Sequence, residues 1–334
     1  MNTPAIVFTA PRTAELREIA LPEPGPGDLV VRTTITGVSV GTERWALLDR
    51  RPEMRFPQVP GYLGVGVVER AAADFQAGER VFFTNARLGE PYASHSWMGA
   101  HLGRAIVPTT IGQDWPPYVC RIPDGVDDIS AAMTGLAAVA VQGTDMLRVT
   151  GKPRALVLGL GMIGQCAAQV LRAKGAHVVA ADLEPRRTEL AREHSANAVV
   201  TLAAGPIAPQ LAAVMPAGGF DLVVDTTSAA AVLQQLADLV AHRGQILLQG
   251  YYPGLTPLNL DRLHGRRPTV SIACSLDLPA HQCAQQLLVA GQLRLRPLVT
   301  RIARPADAAD VYGQILERPG EFLGIVFDWT GVSP

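Results

Sequence analysis

The chain has 334 residues, enough for two domains of ordinary size around a substantial apolar interior. Its 29 Lys and Arg against 30 Asp and Glu exclude a basic nucleic-acid module, and 48% apolar against 18% charged residues exclude a disordered chain. Cys120, Cys166, Cys274 and Cys283 show no Cys-x-x-Cys spacing, and Met1 to Pro11 lacks a basic segment leading into an apolar one, so a reduced, cytoplasmic protein is expected, with neither nucleic acid nor membrane as partner.

From Thr3 to about Val107 the texture is β-rich. Short apolar or alternating runs predict strands at Ala5–Thr9, Leu29–Ile35, Gly64–Glu69 and Glu79–Thr84, separated by Gly and Pro clusters such as Pro22–Gly27. The stretch Asn85–Gly103 is polar and aromatic without periodicity and reads as a long surface loop. After Pro108–Asp124 the rhythm becomes strand, helix, strand, helix. It starts with an Ala-rich helix over Ile129–Met146 and continues with strand Leu156–Gly159, helix Ile163–Lys174, strand Val178–Asp182 and helix Arg186–Glu193. Strands follow at Asp221–Asp225, Gln245–Gln249 and Thr269–Ala273, with a helix over Ala229–Ala241. Buried strands alternating with helices predict a doubly wound, mostly parallel α/β sheet. The uncharged run Ala155–Leu171 nears membrane-spanning length, but three glycines in its first ten residues, two glutamines and the adjacent Pro153 point to a buried strand and helix. Beyond Pro279 the alternation breaks into helix Pro279–Ala290, strand Val299–Ala303, helix Ala306–Leu316 and strand Gly324–Trp329, which are expected to rejoin the first half.

Gly159-Leu160-Gly161-Met162-Ile163-Gly164 follows one predicted strand and opens a helix. Gly159 permits the tight turn, Gly161 lets backbone approach a pyrophosphate, and Gly164 lets helix pack on strand. The N–H groups of Met162 and Ile163 open the helix end that faces the anion. The next strand ends in Asp182, 18 positions past Gly164, near the spacing of a carboxylate that bonds a ribose 2′-hydroxyl. This predicts a Rossmann dinucleotide site that prefers NAD to NADP, because Asp182 repels a 2′-phosphate; Arg186 and Arg187 pull the other way. Thr226 and Gly250, at the ends of two later strands, are expected to flank the ribose and nicotinamide.

Nearly the whole chain resembles the medium-chain dehydrogenase/reductase superfamily. The resemblance is carried by Gly37-Val38-Ser39-Val40-Gly41-Thr42-Glu43, by Pro60-Gly61-Tyr62-Leu63-Gly64-Val65-Gly66-Val67-Val68-Glu69, by Ala77-Gly78-Glu79-Arg80-Val81 and by the glycine loop. It implies a GroES-like β-rich catalytic domain over 1–121 and 277–334, around a Rossmann domain over 122–276. It also implies a homo-oligomer, with Thr269–Ser275 able to supply the strand of a dimer edge. Where the zinc members carry a cysteine, this chain has Ser39 or Val40, and Tyr62-Leu63 replaces their His-Glu pair; the lobe of four closely spaced cysteines is missing. In both motifs the chain is most similar to the zinc-free branch that includes bacteriochlorophyllide dehydrogenase. The expectation is therefore NAD and no metal, since zinc requires thiolate, imidazole or carboxylate ligands. Glu90, His95 and His101, the one alternative ligand set, match no known spacing.

Without a metal, side chains must handle the hydroxyl proton. The resemblance points to Thr42 and Tyr62 as relay candidates, with Glu43 ordering the hydrogen bonds. A phenol is a poor base unless a cation such as Arg44 assists it, Thr42 can also serve as a helix cap, and Tyr62 can simply be a core-edge aromatic. Trp45, Tyr92 and Trp97 are candidates to line a pocket for a small-molecule substrate, packing being the alternative. Three functions remain open: alcohol–ketone interconversion on an organic substrate, reduction of an enone or quinone C=C bond, and a non-catalytic dinucleotide sensor.

Overall fold

A computed structural model describes residues 1–51, 55–93, 98–109, 118–252, 254–273 and 275–332. The chain divides into two compact units, Met1–Gly135 with Leu298–Pro334, and Leu136–Pro297.

The first unit opens with the antiparallel pair β1 (Asn2–Ala10) and β2 (Thr13–Ala20). Strand β3 (Asp28–Val38) is buried along nearly its whole length and is the spine of the larger sheet. It is followed by helix α1 (Val40–Leu47), β4 (Gly64–Arg70), β5 (Arg80–Phe83), β6 (Arg104–Pro108) and β7 (Val119–Arg121). Glycines let these strands approach closely. A Cβ at Gly64 would lie 2.3 Å from the Phe83 ring and one at Gly66 2.3 Å from the Arg32 carbonyl oxygen. The segment read as a surface loop is a correction: Asn85, Ala86 and Leu88 are buried, and Met98 to Leu102 are core residues, with Leu102 bridging Ala5. Lacking a helix or strand period, these residues gave no outward sign of burial.

Helix α2 (Asp128–Asp145) leads into the second unit, where β8 (Arg154–Leu158), α3 (Met162–Ala173), β9 (His177–Asp182), α4 (Pro185–His194) and β10 (Ala198–Thr201) alternate. Strands β11 (Phe220–Asp225), β12 (Val240–Leu248) and β13 (Thr269–Ile272) complete a six-stranded parallel sheet in the order β10-β9-β8-β11-β12-β13. Apolar residues bury both faces of its central strands, as a doubly wound sheet requires. The helix expected over Ala229–Ala241 is instead two single turns, Ala230–Leu233 and Leu236–Leu239. Val240 pairs with Phe220, and this strand pairing overrides the helical preference of the Ala- and Leu-rich run. A longer helix, Leu278–Val289, is capped by Asp277, whose side chain accepts the Ala280 N–H.

The chain then returns to the first unit with β14 (Val299–Ala303), helix Ala308–Glu317 and β15 (Gly324–Asp328). β15 pairs antiparallel with β3, so the seven-stranded sheet joins both ends of the sequence.

Candidate functional site

In the second unit the glycine loop turns from β8 into α3. Gly159 has φ +83°, a left-handed conformation suited to glycine, and a Cβ there would lie 2.9 Å from Thr226 Oγ1. A Cβ at Gly164 would come within 1.9 Å of the Gly159 carbonyl oxygen, so only glycine lets the helix seat against the turn. Gly161 is different: a Cβ there would meet nothing within 4 Å, so packing does not demand glycine at that position. It is also the N-cap of α3 and offers no side-chain cap, which leaves the first N–H groups of the helix, including those of Met162 and Ile163, to an anion. These residues fit a dinucleotide pyrophosphate.

Asp182, at the end of β9, is 8% exposed. Its Oδ2 accepts the Leu160 N–H at 2.5 Å and its Oδ1 the Glu184 N–H at 2.8 Å, while Arg187 lies 3.7 Å away. Thr226 donates its hydroxyl to the Gly159 carbonyl at 2.8 Å. A Cβ at Gly250 would lie 2.7 Å from the Ser228 nitrogen. The ends of β8, β11 and β12 thus converge around Gly159, Thr226 and Gly250. One pair there escaped the sequence reading. Asp225, fully buried, accepts the Thr227 N–H and hydroxyl at 2.9 and 2.7 Å and the hydroxyl of Tyr252. Burial pushes the Asp225 carboxyl up, and burial together with the Asp225 charge pushes the Tyr252 phenol up. Asp225 closes a predicted strand, which was the available signal; nothing local tied Tyr252 to it.

In the first unit α1 starts at Val40 with Ser39 as N-cap, so Thr42 is not the cap but a half-buried residue of the first turn. The next residue, Glu43, is completely buried. Its Oε1 accepts the Ser39 N–H at 2.7 Å, and its Oε2 accepts the Tyr312 hydroxyl and faces His101 Nε2 at 3.0 Å. His101 Nδ1 lies 2.6 Å from Thr36 Oγ1, which also takes the Trp329 indole N–H at 2.9 Å. A carboxylate can only accept, so the network assigns an imidazole proton to Nε2, where it donates to Glu43, and in the neutral ring the Thr36 hydroxyl then donates to Nδ1. Burial, then the Glu43 charge, drives the Tyr312 phenol far above its usual range, so it stays a donor. Tyr62, 7% exposed, donates its hydroxyl to Ser39 Oγ at 2.8 Å.

The remaining candidates separate. The Arg50 guanidinium sits 5.4 Å over the Trp45 ring, and Tyr92 packs against the apolar cluster of the first unit. Trp97 and His95 lie outside the described residues. His101 belongs to a buried network and not to a surface ligand set with Glu90. Among the described residues no group of three His, Cys, Asp or Glu side chains is arranged to hold a metal, and no helix is long and apolar enough to cross a membrane.

Residues 163–288 match the family model described as zinc-binding dehydrogenase, a match confined to the second unit. Over an alignment 342 positions long the sequence is 26% identical to the 2-desacetyl-2-hydroxyethyl bacteriochlorophyllide A dehydrogenase of Cereibacter sphaeroides, covering 100% of both chains. Among solved structures it resembles a Sinorhizobium meliloti 1021 dehydrogenase bound to NADP, with TM-score 0.83, 22% identity and coverage of 98% of this chain and 99% of the other. It also resembles an alcohol dehydrogenase from E. coli CFT073 complexed with NADH, with TM-score 0.83, 19% identity and the same coverage of 98% and 99%. The β-rich unit assembled from both chain ends, the parallel-sheet unit with its glycine loop, and this full-length relative together carry the assignment. The chain is an NAD(P)-dependent oxidoreductase, similar over its whole length to the medium-chain dehydrogenase/reductase superfamily.

Proposed function

We propose that this chain is a zinc-independent, NAD-preferring dehydrogenase that interconverts a secondary alcohol and a ketone on a small organic substrate. The observation that carries the proposal is the hydrogen bond between Tyr62 and Ser39; by the resemblance, Tyr62 stands where zinc relatives carry an imidazole, and Ser39 or Val40 where they carry a thiolate. None of these is a zinc ligand of the usual kind. A name that specifies a hydroxyethyl group, in the full-length relative, supports a secondary alcohol as the reacting group.

The nicotinamide, when bound, supplies the hydride acceptor or donor. The chain's own residues do the rest. The turn Gly159–Gly164 and the opening of α3 hold the pyrophosphate, Asp182 selects the unphosphorylated ribose, and Thr226 and Gly250 border the nicotinamide ribose. Tyr62 Oη takes the alcohol proton while its own passes to Ser39 Oγ and a proton leaves Ser39 for solvent water; ketone reduction runs the same relay in reverse, from water through Ser39 and Tyr62 to the carbonyl oxygen. Glu43 stays in place as an acceptor for Ser39 and does not react, and Thr42, on the same turn of α1, contacts the substrate. Trp45 and Tyr92, both half-buried, are assigned to the pocket wall.

We also assign the chain to the cytoplasm, with Cys166 and Cys283 outside any disulfide, and to a homodimer through β13, where Val270 and Ile272 are 40% and 72% exposed. The deciding experiment follows NADH absorbance across a panel of secondary alcohols, ketones and enones with both dinucleotides. Oxidation of secondary alcohols with NAD, reduced about 100-fold in Tyr62→Phe, is the expected result. Turnover of enones alone with NADPH would establish a C=C reductase, and dinucleotide binding with no turnover a sensor; either outcome defeats the proposal.

A further inference from the structure

His101 is completely buried and joins the Tyr62 turn to the Glu43 carboxylate. On one side its ring lies against Gly61, where a Cβ would fall 2.6 Å from the imidazole carbon Cδ2 and where φ is +86°. Only glycine lets the chain pass this close to the ring. The backbone repeats the connection. The His101 N–H donates to the Pro60 carbonyl at 3.2 Å, and the Gly61 carbonyl accepts from Gly99 and Ala100 at 2.9 and 3.0 Å. On the other side the ring faces Glu43, which holds the Ser39 N–H, and Ser39 in turn receives the Tyr62 hydroxyl.

We infer that His101 is a positioning residue that fixes Tyr62 at two points: at its backbone through Pro60 and Gly61, and at its hydroxyl through Glu43 and Ser39. Tyr312 is the second support, because its hydroxyl holds the same Glu43 oxygen that faces His101. The inference rests on Tyr62 as the proton carrier proposed above. His101 is not itself the base, since both ring nitrogens are committed to Thr36 and Glu43. Removing either donor leaves a fully buried carboxylate oxygen short of a partner. The expected response is displacement of Glu43, and with it of the Ser39 turn.

Protein labelled with ¹³C at tyrosine Cζ gives one such signal for each of the six tyrosines, and Tyr62→Phe identifies that of Tyr62 by its loss. His101→Leu and Tyr312→Phe are each expected to move the Tyr62 signal and its ionisation midpoint. His101→Gln, which keeps an N–H for Glu43, should bring both back toward wild type. Turnover should follow the same order, falling about 10- to 100-fold in the first two variants, while the NADH dissociation constant is unchanged. An unmoved Tyr62 signal and midpoint in Tyr312→Phe, with wild-type circular dichroism and melting, overturns the inference; this variant decides the matter if His101→Leu does not fold. The parent reading fails separately, if Tyr62→Phe keeps full turnover.

Discussion

The carboxylate of Asp182 accepts the backbone N–H of Leu160, 22 residues earlier, at 2.5 Å, so the residue expected to face the ribose also braces the glycine turn. Asp182→Gly should therefore do two things. It should narrow the preference for NAD over NADP by about tenfold or more, as loss of a charge-assisted hydrogen bond requires, and it should weaken binding of both dinucleotides. Fluorescence titration with NADH and NADPH measures each effect, and an unchanged affinity ratio would count against the ribose contact.

Gly161 and Gly164 should respond to alanine in opposite ways. At Gly164 the added carbon would meet a backbone oxygen at 1.9 Å, so Gly164→Ala should lose about 1–3 kcal/mol of stability along with dinucleotide binding. At Gly161 nothing lies within 4 Å, so Gly161→Ala should cost less than about 1 kcal/mol while still raising the NADH dissociation constant about tenfold or more. Urea unfolding paired with calorimetry separates the two. Full NADH affinity in Gly161→Ala would show that no pyrophosphate approaches that position.

His281 is fully buried, and burial lowers its imidazole to about pH 3 from an ordinary 6.5. Above pH 6.5 neither the folded nor the unfolded state protonates this residue, so its neutral form costs nothing there. Between pH 6.5 and about 3 the unfolded chain takes up the proton and the folded chain does not, so stability falls as the solution is acidified. Urea midpoints measured from pH 7 to pH 4 should decline, and less steeply in His281→Leu compared with its own value at pH 7. Parallel declines in the two proteins would remove His281 as the cause.

Chelation should leave turnover unchanged. By the resemblance, Tyr62 and either Ser39 or Val40 occupy the zinc-ligand positions, and Tyr62 is hydrogen-bonded to Ser39. Overnight dialysis against 1,10-phenanthroline followed by elemental analysis tests this. One zinc per chain, with activity lost on its removal and restored on its return, would replace the side-chain mechanism by a metal one.

The glycine loop was legible in sequence because Gly159 and Gly164 answer to local backbone demands, and because strand, turn, helix and strand follow within one short segment. Strand β2 was missed for a physical reason: most of its residues are exposed or half-buried, so it carries little of the apolar alternation that marks a half-buried strand. The buried network was invisible for another. His101 and Tyr312 reach Glu43 from 58 and 269 residues away, and no period or local spacing links residues so distant. Sequence places Glu43 and Tyr62 in one catalytic domain, but the hydroxyl between them, Ser39, stands out there only as one of two residues, with Val40, at the position of a missing cysteine.

The bond from Tyr312 to Glu43 also bears on how the protein is made. The segment Leu136–Pro297 is continuous, so all of the glycine-loop unit has been synthesised before Tyr312 is added. Until then the nascent chain carries a carboxylate destined for burial that still lacks one of its hydroxyl partners. The unit that contains Glu43 is thus completed late in translation, after the glycine-loop unit.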